Sequence, residues 1–354
     1  MKDFTTSEIG QVMDQAWQAY LEYRSYPLSR RAAFMRAVAV ELEAAGDDVI
    51  QTAMRETNLP EARLRGERAR TMFQLTSYAD ACEKGDWLEA RIDTAIPAKT
   101  PPRPDIRKMM VPLGPVVVFG ASNFPFAYST AGGDTASAFA AGCPVIVKAH
   151  PAHAATSELV AAAISRAAAS TGMPAGIFSH VQGTSFQVGK DLVMHPHTRA
   201  VGFTGSTTGG KQLFEWGNQR AVPIPVFAEM GSINPIFLLP EKLAAEKTAL
   251  ATTIAASVLL GVGQFCTNPG LIIALGGPDL DSFVQLLGQE ITAATAGKML
   301  HPGIGKAFTE KKQAALSQQG VVTVAEGKPA TDAAGIAAIA RTDAKNFLSN
   351  QLRT

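Results

Sequence analysis

The run Val116-Val117-Val118-Phe119 limits what this chain can fold into more than any other stretch. Consecutive β-branched and aromatic residues without alternation fit a strand covered on both faces, as in a parallel sheet. The run ends in Gly120-Ala121-Ser122-Asn123-Phe124-Pro125-Phe126, a turn-forming stretch, and small residues over 130–141 predict a helix after it. The same order then repeats. A short apolar strand over 143–148 precedes an alanine-built helix over 156–171. Strand 178–181, helix 186–194 and strand 200–204 complete the series. Such alternation predicts an α/β fold with a doubly wound sheet.

What flanks this series is different. Apolar residues recur at helical spacing over 7–92, as in Ile9, Val12, Met13 and Trp17, and again from Ala33 to Val49. A further helix is expected from Glu61 to Cys82, with Arg63, Arg65, Arg68 and Arg70 along it. These arginines are either a solvated face or a source of one carboxylate-binding guanidinium. Prolines over 96–104 mark an edge excursion, followed by a strand over 106–111. After residue 229 the pattern predicts a long helix over 241–262, a strand at 271–275, helices at 279–296 and 306–319, and a strand at 321–324. The alanine-rich tail carries no motif.

Composition excludes several classes. The 354 residues, 46% hydrophobic and 18% charged, suffice for two packed domains. A net charge of +1 argues against nucleic acid or a membrane surface as partner. Cys82, Cys143 and Cys266 are too few and too scattered for a disulfide framework or a zinc site, so no metal is expected. The N-terminus lacks the basic and apolar regions of a signal peptide, and no apolar run reaches membrane-spanning length. The expectation is a cytoplasmic protein.

Three places carry candidate chemistry. Cys266, in Gly263-Gln264-Phe265-Cys266-Thr267-Asn268-Pro269, sits between two apolar stretches on an expected loop or helix end. Helix-end amides there would favour a thiolate nucleophile; the alternative is a buried structural cysteine. Glu229 closes an apolar strand before Gly231 and is either a general base or a solvated strand-end carboxylate. The stretch Gly205-Ser206-Thr207-Thr208-Gly209-Gly210 follows a strand and either cradles a phosphate or merely turns the chain.

Taken together and in order, Gly120 to Pro125, Phe203-Thr204-Gly205-Ser206, Glu229 to Pro235 and Gly263 to Cys266 resemble the aldehyde dehydrogenase superfamily over nearly the whole chain. The resemblance implies a Rossmann-type cofactor domain within 1–226, with a flap strand near 97–111, and an α/β catalytic domain over 227–354, incomplete at its end. It implies Cys266 as nucleophile, Asn123 as oxyanion donor and Glu229 as base. Lys148, His150, Phe203, Gly205, Ser206 and Gly210 are then the cofactor contacts, for NADP or NAD, and Arg70, Phe124 and Phe265 the substrate contacts. The wording Lys148-Ala149-His150-Pro151-Ala152-His153 is similar to the α-ketoglutaric semialdehyde dehydrogenase branch and its NADP-linked fatty-aldehyde neighbours. No acid stands between Lys148 and Glu158, so a 2′-phosphate is expected to meet Lys148 and His150 or His153 without repulsion. The implied activity is oxidation of a small aldehyde, 2,5-dioxopentanoate first and a medium or long-chain aldehyde second, by a homo-oligomer (dimer or tetramer) when full length. A cysteine hydrolase or esterase and an inactive binding homologue are the rivals from other classes. Family members run longer, and the expected further segments include a ribose-binding Glu-x-Phe-Gly-Pro. The chain alone is therefore expected to be poorly soluble or inactive.

Overall fold

Helices precede the first sheet: α1 (Thr6–Tyr23), α2 (Leu28–Ala44), α3 (Gly46–Thr57) and α4 (Glu61–Lys84). The protein is described by a computed structural model that covers residues 2–330 and 334–349. Helix α1 starts with a capping box: the Glu8 N–H donates to Thr5 Oγ1, and the Thr5 N–H to the Glu8 carboxylate at 2.7 Å. The periodicity from Ala33 to Val49 predicts one helix, but Gly46 at φ +64° divides it into α2 and α3. Helix α4 stops at Gly85, in the left-handed conformation suited to a helix C-terminus. An antiparallel arm follows, β1 (Arg91–Asp93) with β2 (Ile106–Lys108). Strand β2 is shorter than the expected 106–111, and β1 is absent from the sequence reading because every residue in it is exposed.

The parallel sheet forms where the apolar runs predict it. Its elements are β3 (Val116–Phe119), α5 (Gly133–Ala141), β4 (Val145–Lys148), α6 (Ala154–Ser170), β5 (Phe178–Val181), α7 (Phe186–Met194), β6 (Ala200–Thr204), α8 (Thr207–Gln219) and β7 (Val226–Glu229). The spatial order is β5-β4-β3-β6-β7. The chain winds outward from β3 on one side, then returns to its other side, so the switch point lies at the carboxyl end of β3. Ligands of doubly wound sheets bind in the crevice there. Register sets Phe119 opposite both Lys148 and Phe203, in one rank at that end. Beneath, Ile9, Met13, Val117, Ile146, Val201 and Leu213 form a buried core.

Strand β7 hydrogen-bonds to β6 and lies in the first of two compact units. That unit comprises Met1–Glu56 and Pro60–Met230; the second comprises Thr57–Leu59 and Gly231–Thr354.

In the second unit β8 (Pro235–Leu238) pairs parallel with β9 (Leu271–Ala274), and α9 (Pro240–Leu259) packs on α10 (Pro278–Ala293). Strand β8 opens on a proline and is mostly open to solvent, which hides it from a sequence reading. The stretch Pro240–Gly263 is long and apolar enough to span a bilayer by length and composition, contrary to expectation. Its Leu243, Ala251, Ile254 and Ala255 are nevertheless buried in a core with Phe283, Leu287 and Ile291. The unit continues with β10 (Gly297–Lys298), α11 (Pro302–Leu316), β11 (Val322–Glu326), β12 (Ala334–Gly335), β13 (Ala338–Arg341) and α12 (Ala344–Ser349). Strand β13 pairs antiparallel with β11, so the tail without a motif does hold ordered elements.

Candidate active site

Cys266 is exposed, whereas Cys82 and Cys143 are buried. The loop carrying it begins in a left-handed turn, with Gly261, Val262 and Gly263 at φ +57°, +59° and +71°. A β-branched residue there is a strained choice, held by its packing. The Val262 side chain fills the space a Cβ would need at Gly297, 2.5 Å away, and at Gly335, 2.9 Å away. Gln264 ties the turn down: its Nε2 donates to the Gly261 carbonyl at 3.0 Å and its Oε1 accepts the Leu300 N–H at 3.0 Å. The Cys266 carbonyl accepts from the Ser232 hydroxyl and from Asn234 Nδ2 at 2.8 Å. Asn234 Nδ2 also reaches the Asn268 carbonyl at 2.9 Å. With its carbonyl pinned, Cys266 keeps a free backbone N–H: no described residue accepts it.

One expectation is corrected here. Cys266 follows the C-terminal end of α9, where the unpaired backbone groups are carbonyls, not amides. Asn268 Nδ2 satisfies one of them, Val258 O, at 2.9 Å. A thiolate therefore draws no support from a helix N-terminus. Phe265 is half-buried beside the thiol, and its carbonyl accepts the Asn268 N–H at 3.1 Å. A cavity of about 840 Å³ in this unit touches Gln264 and Asn268 but not Cys266.

In the first unit, Lys148 ends β4. Burial pushes its ammonium below the ordinary lysine range, with the charge of Asp3 acting against this, and no described residue hydrogen-bonds it. A part-buried ammonium without a protein acceptor suits a ligand that brings oxygens. Ser206 caps α8, its Oγ accepting the Gly209 N–H at 3.2 Å. The N–H groups of Thr207 and Thr208 bond no described residue and lie at the positive end of the helix dipole. Lys148, Ser206 and these amides thus fit a phosphorylated nucleotide at the switch point.

Other expected contact residues take part in packing. Gly205 donates its N–H to the Glu229 carbonyl at 2.9 Å, and the Phe203 ring occupies the position its Cβ would need, 2.6 Å away. Phe203 itself leans edge-on against Phe119. Gly210 lies inside α8, donates to Ser206 O, and makes room for Met230, whose Cγ would be 2.5 Å from a Cβ. Neither glycine presents a free amide to a phosphate. Glu229 is exposed, with no described hydrogen bond to its carboxylate.

The histidines also differ from expectation. His153 is fully buried and pairs its Nε2 with the Ala121 carbonyl at 2.8 Å, so it is neither a surface turn residue nor open to a 2′-phosphate. Burial holds its pKa below the usual imidazole value, with Glu56 opposing. Since a carbonyl accepts, Nε2 carries the proton. His150 Nδ1 accepts the Ala152 N–H at 3.1 Å and caps the short turn before α6. The acid whose charge acts on Lys148 is Asp3, from a distant part of the chain. Glu56 caps α6, accepting from the N–H groups of Ala155 and Thr156 at 2.9 Å each and from the Thr156 hydroxyl at 2.7 Å.

Asn123 sits on the loop 121–128, held from α4. Arg63 Nη2 donates to the Asn123 carbonyl at 2.6 Å, and its guanidinium lies 4.9 Å from the Phe124 ring centroid. Glu67 accepts the N–H groups of Phe126 and Ala127 at 2.8 and 3.0 Å. Phe124, expected against substrate, is buried and stands edge-on to Tyr128 at 5.1 Å. Arg70 Nη2 donates to Tyr128 Oη at 2.8 Å and is exposed. Arg63 is visible in the sequence only as one of a charged run, and Glu67 and Tyr128 not at all as site residues; only the fold joins α4 to this loop.

Comparison with known proteins adds the family. A model described as the aldehyde dehydrogenase family matches residues 1–348. The chain is 51% identical over 345 residues to alpha-ketoglutaric semialdehyde dehydrogenase 2 of Azospirillum brasilense, covering 97% of this chain and 66% of that protein. It is 45% identical over 325 residues to alpha-ketoglutaric semialdehyde dehydrogenase of Acinetobacter baylyi, covering 92% and 61%. The chain thus spans less than two thirds of the length of these curated relatives. Among solved structures, an NAD-dependent benzaldehyde dehydrogenase from Corynebacterium glutamicum superposes with a TM-score of 0.76 at 22% identity, covering 92% of this chain and 68% of that one. A 1-pyrroline-5-carboxylate dehydrogenase reaches 0.81 at 18% identity, covering 99% and 67%. Likenesses at that identity show the fold alone.

Proposed function

We propose, from the premise that this chain belongs to the aldehyde dehydrogenase family, that it oxidises α-ketoglutaric semialdehyde (2,5-dioxopentanoate) to 2-oxoglutarate. The observation that carries the reading is the Cys266 loop, where an exposed thiol and a free N–H stand on one residue whose carbonyl is pinned by Ser232 and Asn234. Cys266 Sγ adds to the aldehyde carbon and forms a thiohemiacetal. The oxyanion is held by the Cys266 N–H and, as the family resemblance implies, by the Asn123 side-chain amide. The nicotinamide cofactor, when bound, supplies the hydride acceptor that leaves Cys266 as a thioester. Glu229 takes a proton from water, whose oxygen displaces the thiolate and releases the acid. Arg70, already oriented by Tyr128, is the cation offered to the substrate carboxylate. Both relatives named above carry this substrate in their names, which supports the choice over a medium or long-chain aldehyde.

Lys148, Ser206 and the first amides of α8 are the residues that would hold the cofactor. Support for NADP alongside NAD comes from the Lys148 ammonium having no described acceptor. The protein is proposed to act in the cytoplasm as a homo-oligomer.

The test is absorbance of reduced cofactor with 2,5-dioxopentanoate against medium-chain aldehydes, with NADP and NAD. Cys266→Ala is expected to abolish turnover and leave cofactor binding intact. Turnover retained by Cys266→Ala, or ester hydrolysis without cofactor dependence, overturns the reading. A preference for NAD of more than about 100-fold overturns the NADP part.

A further inference from the structure

We propose that Glu67, with Arg63, is a positioning residue that fixes Asn123 for oxyanion binding, an inference that rests on the role given to Asn123 above. The two side chains lie one turn apart on α4 and grip the loop 121–128 at different points. Arg63 holds the backbone of Asn123 itself, through its carbonyl at 2.6 Å. Glu67 holds the next residues, taking the Phe126 and Ala127 N–H groups on one oxygen at 2.8 and 3.0 Å. Phe124, between these anchors, is buried under the Arg63 guanidinium.

Glu67 is an unusual choice for a place of this kind. It is 5% exposed, its Oε2 is buried without a hydrogen-bond partner, and the nearest cation, Arg63, stands 4.0 Å away. Burial pushes its carboxyl pKa up while the two amides oppose this. A well-packed apolar residue would fill such a site without the desolvation cost. What the carboxylate adds is a strong acceptor for two successive amides, and that fixes the path of the loop just after Asn123. An oxyanion donor needs such support, because a displacement of about 1 Å costs about 10²-fold in rate.

The experiment compares Glu67→Met, Glu67→Gln and Arg63→Met in the full chain, alone and combined with Asn123→Ala. Glu67→Met is expected to lower kcat about 10²-fold with KM changed less than about threefold. Glu67→Gln, which keeps an acceptor, is expected to recover most of that loss. In the Asn123→Ala background neither Glu67→Met nor Arg63→Met should lower kcat further, since both act through Asn123. Hydrogen exchange, which needs no turnover, should show the Phe126 and Ala127 amides less protected in Glu67→Met than in the unaltered chain. Unchanged protection there, or losses that add fully to that of Asn123→Ala, overturns the proposal. Wild-type turnover in Asn123→Ala alone would instead overturn the role of Asn123, and leave exchange to decide whether Glu67 holds the loop.

Discussion

Glu229 shows how much of a residue's role depends on its backbone. Its carbonyl accepts the Gly205 N–H at 2.9 Å, and its carboxylate is exposed without a described partner. The main chain is therefore fixed while the acid remains available to water. Glu229→Gln should leave the sheet intact, because nothing described depends on the charge. If Glu229 activates the water that hydrolyses the thioester, the variant will show a burst of reduced cofactor near one equivalent, followed by turnover slowed by about 10² or more. Rapid mixing with absorbance detection separates the phases. Loss of the burst together with the steady rate would place Glu229 before hydride transfer and remove it from deacylation. Cys266 shows the same division: its carbonyl is held by Ser232 and Asn234, its thiol is exposed, and its N–H meets no described acceptor.

At the scale of elements, legibility followed burial. Strands β3 and β6 match the sequence expectation at both ends, since each is a largely apolar run bounded by Pro, Gly or Arg. Strand β1 is fully exposed and β8 begins with a proline, so neither carries that signal. The motifs carrying Cys266, Glu229 and Asn123 were legible, but not what holds them. His153 illustrates the gap. Its neighbours in sequence suggest a surface turn, whereas the fold buries it against Ala121 at the start of the Asn123 loop. This has a consequence with a definite sign. Burial lowers the folded-state pKa of His153 below the ordinary value of 6.5, so the unfolded chain takes up a proton first as pH falls. The stabilising contribution of neutral His153 is complete above about pH 6.5 and is lost as pH falls toward the lowered folded value. His153→Gln keeps a donor for the Ala121 carbonyl but cannot titrate. Urea unfolding at a series of pH values should therefore give a shallower acid slope for the variant, by up to about 1.4 kcal/mol per pH unit. His180, His195 and His301, also lowered by burial, contribute equally to both proteins. Equal slopes would mean that His153 is not held neutral.

At the scale of the whole molecule, the division into two units separates the proposed labour. Lys148, Ser206 and the open amides of α8 belong to the first unit, and Cys266 with its supporting loop to the second. The three tryptophans, Trp17, Trp87 and Trp216, all lie in the first unit. Trp17 stacks on His197 at 4.8 Å, and Trp216 packs against the core beneath the sheet. Tryptophan emission therefore reports on the unit proposed to hold the cofactor and is silent about the other. A ligand that binds only the folded state stabilises it by about 2.7 kcal/mol at one hundred times its Kd. For a unit of this size that corresponds to a rise of roughly 5–11 °C in its melting temperature. NADP or NAD at that excess should shift the tryptophan-detected transition by such an amount. Lys148→Met should reduce the shift, and Cys266→Ala should leave it unchanged, because the thiol lies outside the unit observed. A tryptophan transition indifferent to both nucleotides at saturating concentration would remove the cofactor from the switch point at β3. A shift abolished by Cys266→Ala would show that nucleotide binding draws on the second unit as well.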